Sequence, residues 1–325
     1  MILVTGATGF LGRHVVAALQ ERGLAVRALV RQKSRALAKA GVEQLIGDVE
    51  EPSTLAAAFD GVKSVFHLAG AVSRAAADAS RMMRVHVDGT RNVVAAARAA
   101  GTRRLVLASS SGTIAVSKDE TFVATEDAPY AENVVAGWPY YLSKIYQERL
   151  VLAEPIPDLE VVALLPSLVL GPGDTRGSST EDVLRFLQRR IPYVPPGGLS
   201  FVDVRDAAAA FVAALDRAPP GERYLLGGPN WTFATFLGRL ERLAKVPGPR
   251  LRVPGRWARF GAGVIESIAE WRGTAAAVDK TSVEMAEHFW YLDPSKAARE
   301  LGFAARDPQE TLMDTIRDLR SHFPM

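Results

Sequence analysis

Residues 2–12 read Ile-Leu-Val-Thr-Gly-Ala-Thr-Gly-Phe-Leu-Gly. The apolar run Ile2–Val4 suits a strand buried on both faces. Gly6, Gly9 and Gly12 follow at a three-residue spacing. Leu11, Val15, Ala18 and Leu19 then fall on one helical face, and Gly23 stops the pattern. A strand, a glycine turn and a helix N-terminus in that order form a cradle for a pyrophosphate. Gly6 permits the tight turn, Gly9 lets phosphates approach the backbone, and Gly12 lets the helix pack on the strand. The flanking strand and helix distinguish this triplet from glycines that merely turn the chain. Its spacing is Gly-x-x-Gly-x-x-Gly, a variant of the common dinucleotide fingerprint G-x-G-x-x-G.

Apolar runs and helical patterns alternate downstream. Strands are expected at Leu24–Val30, Glu43–Ile46, Ser64–Leu68, Leu105–Ala108 and Val161–Leu165. Helices are expected near Arg35–Ala40, Ser53–Phe59, Ala79–Ala100 and Tyr140–Leu152. This alternation predicts an α/β protein with a Rossmann-like, doubly wound parallel sheet and ligands at the carboxyl ends of its strands. After Gly171 the chain becomes rich in Pro and Gly. Phe201–Leu215 reads as a strand and a helix, and Tyr224–Leu226 as a strand returning to the first sheet. The expected division is a nucleotide-binding Rossmann domain over 1–165, with 201–228 returning to it, and a smaller, mostly helical substrate-binding domain over 166–325.

The chain has 325 residues, a net charge of +3 and no cysteine, which excludes disulfides and cysteine-ligated metals. No Lys/Arg-rich run with interleaved aromatics supports nucleic-acid binding. No apolar stretch is long enough for a transmembrane helix, and the immediate entry into a strand leaves no room for a signal peptide; a cytoplasmic location is expected. Arg256–Trp271 is amphipathic. It reads as a helix covering a pocket or the core, with a membrane-surface role as the alternative. The five histidines are scattered without metal-ligand spacing. His67, within a strand, reads as a core residue, and no metal site is expected.

Tyr140 and Lys144 lie four apart on a helical pattern, so their side chains share a face. A lysine ammonium one turn away is expected to favour the phenolate and bring the tyrosine toward the working pH range. The same ammonium can bond a cofactor ribose. Ser109, Ser110 and Ser111 end the fifth strand, where a hydroxyl can hold a carbonyl oxygen in line with the tyrosine's proton. At least one of the three is expected to serve only the turn. Arg31 follows the second strand, where NAD-preferring sites carry an acid for the ribose 2′-hydroxyl. Lys33 and Arg35 lie beyond it, with no acid until Glu43. A guanidinium pairs well with a 2′-phosphate, so NADP(H) is preferred over NAD(H).

Thr5–Gly12, the serine cluster and Tyr140-x-x-x-Lys144 together resemble the extended short-chain dehydrogenase/reductases of the NAD-dependent epimerase/dehydratase family. The segment Arg104–Ile114 is similar to the dihydroflavonol reductase branch, Val87–Asn92 and Phe201–Asp206 resemble family motifs, and Gly221–Gly228 and the end near Tyr291–Phe303 are similar to bacterial members. The resemblance spans nearly the whole chain. It implies an NAD(P)-dependent enzyme acting on CH–OH or C=O groups, with catalytic Ser110, Tyr140 and Lys144. It implies that Asp48 holds the adenine amino group and that Ala69 and Gly70 let the chain run close to the cofactor. Phe10, Leu11, Val49, Pro166, Leu168 and Val169 complete the expected cofactor-binding set. It also implies a homodimer through the helices of 79–100 and 140–152.

Two departures bear on substrate. Where sugar-nucleotide enzymes of the family carry Arg and Asn before Gly-Pro-Gly, this chain has Leu165 and Leu168; where they carry Val-Tyr-Gly, it has Ile114-Ala115-Val116. A pocket lined this way would prefer a small hydrophobic ketone or secondary alcohol. The alternative is a nucleotide-sugar epimerase or dehydratase with retained NAD(P), whose phosphates Arg176, Arg185, Arg189 and Arg190 could serve. A non-catalytic cofactor sensor on the same fold is a third reading.

Overall fold

The computed structural model describes residues 1–251 and 280–323. β1 (Ile2–Thr5), α1 (Phe10–Glu21), β2 (Val26–Val30), α2 (Arg35–Lys39), β3 (Glu43–Ile46), α3 (Ala56–Phe59) and β4 (Ser64–His67) open the chain. α4 (Ala79–Met83), α5 (Gly89–Ala99), β5 (Arg104–Ala108), α6 (Glu132–Val135), α7 (Pro139–Leu152) and β6 (Glu160–Pro166) follow. Next come β7 (Leu168–Leu170), α8 (Glu181–Leu187), β8 (Gly198–Asp203), α9 (Val204–Arg217) and β9 (Arg223–Leu226). β1 to β6 and β9 form one parallel sheet in the order β3-β2-β1-β4-β5-β6-β9. The chain moves outward in opposite directions from the neighbours β1 and β4. Their carboxyl ends therefore open a crevice at the topological switch point.

The sheet is covered on both faces, which is why its central strands are continuous apolar runs. Along β6, Val162 and Leu164 pack with α1 and α9, while Val161, Ala163 and Leu165 pack with α3, α5 and α7. β9 thus joins the large sheet and α9 packs against it. β8 does not: it pairs with β7 and with the strands β10 (Asn230–Thr232) and β11 (Phe289–Trp290) in a small second sheet.

The second half is completed by α10 (Phe233–Ala244), α11 (Lys280–Met285), α12 (Ser295–Leu301) and α13 (Pro308–His322). Phe186 of α8, Phe201 of β8, Phe236 and Leu240 of α10, and Leu312 and Ile316 of α13 share a separate apolar core. Side chains of Thr232 and Asp307 cap α10 and α13. The single helix expected over 79–100 is interrupted: α4 and α5 are joined by a π-helical turn at Arg84–Asp88, which carries His86 inward. No helix among the described residues is long and apolar enough to cross a membrane. The amphipathic segment Arg256–Trp271 lies outside the described residues.

Candidate active site

The glycine turn is fixed by close packing. Gly6 has φ +71°, and a Cβ there would lie 2.6 Å from the Leu68 carbonyl. A Cβ on Gly12 would lie 2.1 Å from the Gly6 oxygen. Both positions are closed to any side chain. Gly9 differs, because its Cβ would meet protein only at 3.1 Å, on Gly6 O. Gly9 is also the N-cap of α1 and offers no side-chain cap, which leaves first-turn amides for an anion. Phe10 is buried and Leu11 half-buried behind the turn. These features fit a dinucleotide pyrophosphate.

The neighbouring strand ends line the same edge. Arg31, after β2, is exposed and has no hydrogen bond or ion pair among the described residues; Lys33 and Arg35 are likewise exposed. Asp48, after β3, accepts the Glu50 N–H at 3.1 Å through Oδ1. Val49 is buried, and its carbonyl accepts from Asn92 at 2.9 Å. After β4, Ala69 N–H donates to Thr5 Oγ1 at 3.1 Å. Gly70 is exposed, and a Cβ there would lie 3.8 Å from Lys144 Nζ. After β6, Pro166 is buried, while Leu168 and Val169 are half-buried in β7.

The three serines divide by role. Ser109 donates to the fully buried Glu148 carboxylate at 2.5 Å, and that carboxylate also accepts from Thr113, Tyr130 and Arg223. Ser111 accepts turn amides through its carbonyl. Ser110 alone of the three acts on the Tyr140 hydroxyl, drawing its pKa down against burial, while its own Oγ accepts the Gly112 N–H at 3.3 Å. Tyr140 and Lys144 stand one turn apart on α7, which begins at Pro139.

Lys144 is 5% exposed and donates to Ala108 O and Gln147 Oε1, each at 2.8 Å. Burial pushes its amine down to about 7, with the Glu148 charge opposing. Burial likewise pushes the Tyr140 phenol up to about 12, with the Ser110 bond opposing. The expectation that Lys144 lowers the tyrosine is therefore not met. The ammonium is turned to a strand carbonyl and an amide, and no bond joins it to the phenol.

His86 packs edge-on against Tyr140 at 5.8 Å between ring centres. Its Nε2 accepts the Ala71 N–H at 3.1 Å, so Nδ1 carries the proton and donates to Ser143 Oγ at 2.8 Å. Beside Tyr140, Tyr141 and Trp290 form an aromatic pair with ring centres 4.9 Å apart. Leu165 and Ile114–Val116 are at most 4% exposed and belong to the packed core, not to a substrate wall. Position along the chain placed them near the edge, but the strand and turn direct their side chains inward.

Three residues of this neighbourhood were not anticipated: His86, Gln147 and Ser167, whose buried hydroxyl has no hydrogen-bond partner among the described residues. Gln147 carried a local signal, since it lies three residues after Lys144 on the same helical face. His86 and Ser167 depend on long-range packing.

The parallel sheet, the phosphate cradle and the Ser–Tyr–Lys group at one strand edge define an extended short-chain dehydrogenase/reductase. The chain belongs to the NAD-dependent epimerase/dehydratase family, whose model matches residues 2–227. It is 40% identical over 338 residues to the 2-alkyl-3-oxoalkanoate reductase of Stenotrophomonas maltophilia, covering 98% of each chain. It is 32% identical over 320 residues to sterol demethylase protein B of Methylococcus capsulatus, covering 97% of this chain and 96% of that protein. The crystal structure of gox2253 superposes with a TM-score of 0.86 at 33% identity, over 100% of this chain and 99% of that one. The chain is an NAD(P)-dependent enzyme of the oxidoreductase and epimerase class.

Proposed function

We propose that this enzyme uses NADP(H) to interconvert a hydrophobic ketone and its secondary alcohol. The observation that carries the reading is that Tyr140 and the buried Lys144, one turn apart on α7, meet the end of β5, where Lys144 bonds Ala108 O and Ser110 follows. When bound, the cofactor supplies hydride at its nicotinamide. Tyr140, held protonated at neutral pH, donates its phenolic proton to the carbonyl oxygen in the direction of reduction. Ser110 holds that oxygen by hydrogen bonding. Lys144 has two acceptors and three N–H donors, so one donor remains for a ribose hydroxyl.

NADP(H) preference is supported by Arg31, exposed just after β2 and without a partner among the described residues. A ketone substrate is supported by the likeness to a 2-alkyl-3-oxoalkanoate reductase and by the Tyr141–Trp290 pair next to Tyr140. Leu165 is buried in the core and lends no support, whereas Leu168 is half-buried at the start of β7. In the same reading, 1–165 with α9 and β9 serves the cofactor, the remainder of 166–325 serves the substrate, and α5 and α7 mediate a homodimer.

Tyr140→Phe is expected to lower turnover at least about 100-fold while leaving the NADPH dissociation constant within about twofold. Stopped-flow NADPH oxidation over a panel of 3-oxo esters and aromatic ketones measures the first, and cofactor fluorescence the second. Equal loss of both would assign Tyr140 a structural role. Arg31→Ala should reduce the NADPH/NADH preference in kcat/KM at least about tenfold, the loss of one charge-assisted contact. An unchanged ratio would remove the NADP assignment. The family description names epimerases and dehydratases, which supports a second reading as a nucleotide-sugar epimerase or dehydratase with retained NAD(P). NAD that survives purification and binding of a UDP-sugar would establish it.

A further inference from the structure

A line of buried polar side chains crosses the molecule beneath the crevice. Thr5 Oγ1 meets His67 Nδ1 at 2.8 Å, and His67 Nε2 meets Thr90 Oγ1 at 2.9 Å. Gln147 Nε2 donates to Thr90 Oγ1 at 2.8 Å, and Gln147 Oε1 accepts from Lys144 Nζ at 2.8 Å. Thr5, His67, Thr90 and Gln147 are at most 1% exposed. They come from β1, β4, α5 and α7, so only the assembled fold joins them.

We propose that Gln147 is a positioning residue for Lys144, the last link of a hydrogen-bond chain that anchors the lysine to Thr5 beside the glycine turn. The ends of the chain carry the argument. Thr5 Oγ1 also accepts the Ala69 N–H, and Lys144 Nζ also donates to Ala108 O. Both are backbone groups at the carboxyl edge of the sheet.

The amide orientation is forced, because an ammonium only donates and the Gln147 oxygen must face it. Gln147 therefore presents its NH2 to Thr90. The imidazole of His67 stays neutral, since burial pushes it down to about 3. It offers one donor and one acceptor, one to each threonine, whichever tautomer it adopts. Shifting Lys144 would break a bond to the fully buried Gln147 amide, where an unpaired polar group is costly.

The groups facing Lys144 give Gln147 its weight. His67 from β4 and His86 from the π-turn both stand near the amine and are both neutral. Tyr140 is one turn away on α7. Glu148 attracts the amine from a distance, but its oxygens are taken by Ser109, Thr113, Tyr130 and Arg223. Ala108 O and Gln147 Oε1 are thus the only acceptors on the ammonium among the described residues. Of these, only Gln147 can be changed by substitution.

The inference rests on Lys144 belonging to the active site, so the test reads the lysine itself. Full-length protein labelled with 13Cε-lysine presents eight lysines, and Lys144→Arg assigns the signal. In the wild type Lys144 should titrate far below the other seven. Gln147→Glu is isosteric and puts a carboxylate on Nζ, so the midpoint should rise by at least about one pH unit, tenfold in proton affinity. Thr90→Val removes the next link. It should shift the midpoint by a smaller, measurable step and weaken NADPH binding about threefold or more, with Thr90→Ser restoring both. An unmoved midpoint in Gln147→Glu overturns the proposal. Should Gln147→Glu not fold, the Thr90 pair decides, and equal titration of Thr90→Val and wild type overturns it. A shifted midpoint alongside full turnover in Tyr140→Phe would keep the chain and remove the oxidoreductase reading.

Discussion

Two buried charges in this protein are treated in opposite ways. Lys144, at the carboxyl edge of the large sheet, is surrounded by neutral acceptors and neutral imidazoles, and its amine is held well below its ordinary value. Asp203, at the start of α9, is 2% exposed and surrounded by cations. Its oxygens accept from Arg205 Nε at 2.9 Å and Nη2 at 2.8 Å, and Arg306 Nε approaches to 3.5 Å. Arg306 also grips Asp206 at 2.7 Å, and Arg205 reaches Asp314 of α13 at 2.8 Å. Burial alone would raise Asp203, but the Arg205 bonds outweigh it and hold the carboxyl below its ordinary value. The matched cluster ties α9 to α13, whereas the unmatched lysine costs stability and occupies the proposed site of chemistry. Charge left uncompensated in a crevice marks function more reliably than charge that is paired.

The largest effect that would break this contrast comes from the matched side. Asp203→Asn leaves Arg205 and Arg306 without their shared buried carboxylate, while the amide oxygen can still cap α9. Removing one member of a buried pair costs about 3–5 kcal/mol. Urea denaturation should show a loss of that order with an unchanged slope. A loss under about 1 kcal/mol would mean the cluster is solvated and the comparison fails.

The next effect lies on the unmatched side and is a pH dependence. The folded Lys144 titrates near 7, whereas an unfolded lysine titrates near 10.5. Between those values the unfolded chain binds the extra proton, so stability rises with pH. The contribution is complete above about pH 10.5 and lost as pH falls toward 7. One proton gives a slope of about 1.4 kcal/mol per pH unit. Unfolding measured between pH 7.5 and 9.5 should show this slope in the wild type and a flat line in Lys144→Met. Parallel lines would place the lysine in water.

Much of this could be read before the fold was known, for specific reasons. The turn at Gly6 and Gly12 was legible because backbone sterics are local: a side chain there would collide with residues within the same strand–turn–helix unit or the adjacent strand. The shared face of Tyr140 and Lys144 was legible from helical geometry. The direction of the Tyr140 shift was not. One turn of helix brings the two residues together, but the Ala108 carbonyl on β5 determines where the ammonium points. Leu165 was misread for a related reason. Adjacent residues of β6 face opposite cores, Leu164 toward α1 and α9 and Leu165 toward α3 and α5, and alignment fixes position without fixing face. His86 was hidden because a π-turn, not a regular helix, carries it against Tyr140.

The smallest expected effect sharpens the contrast from outside. Asp88 and Arg91 form an ion pair at 2.6 Å, three residues apart, with side chains 55% and 60% exposed. The distance matches that of Arg205 to Asp203, but this pair is solvated and stands alone, whereas Asp203 is buried and held by two arginines. Water screens such a pair and side-chain entropy offsets it, so its contribution is about 0.5 kcal/mol or less. Asp88→Asn should therefore shift the urea midpoint barely beyond error, and 0.5 M NaCl should erase even that, because the Debye length falls to a few ångströms. Asp203→Asn should keep most of its loss in the same salt. If both variants respond to salt alike, burial is not what separates the paired cluster from the surface, and the argument that Lys144 stands apart by burial weakens with it.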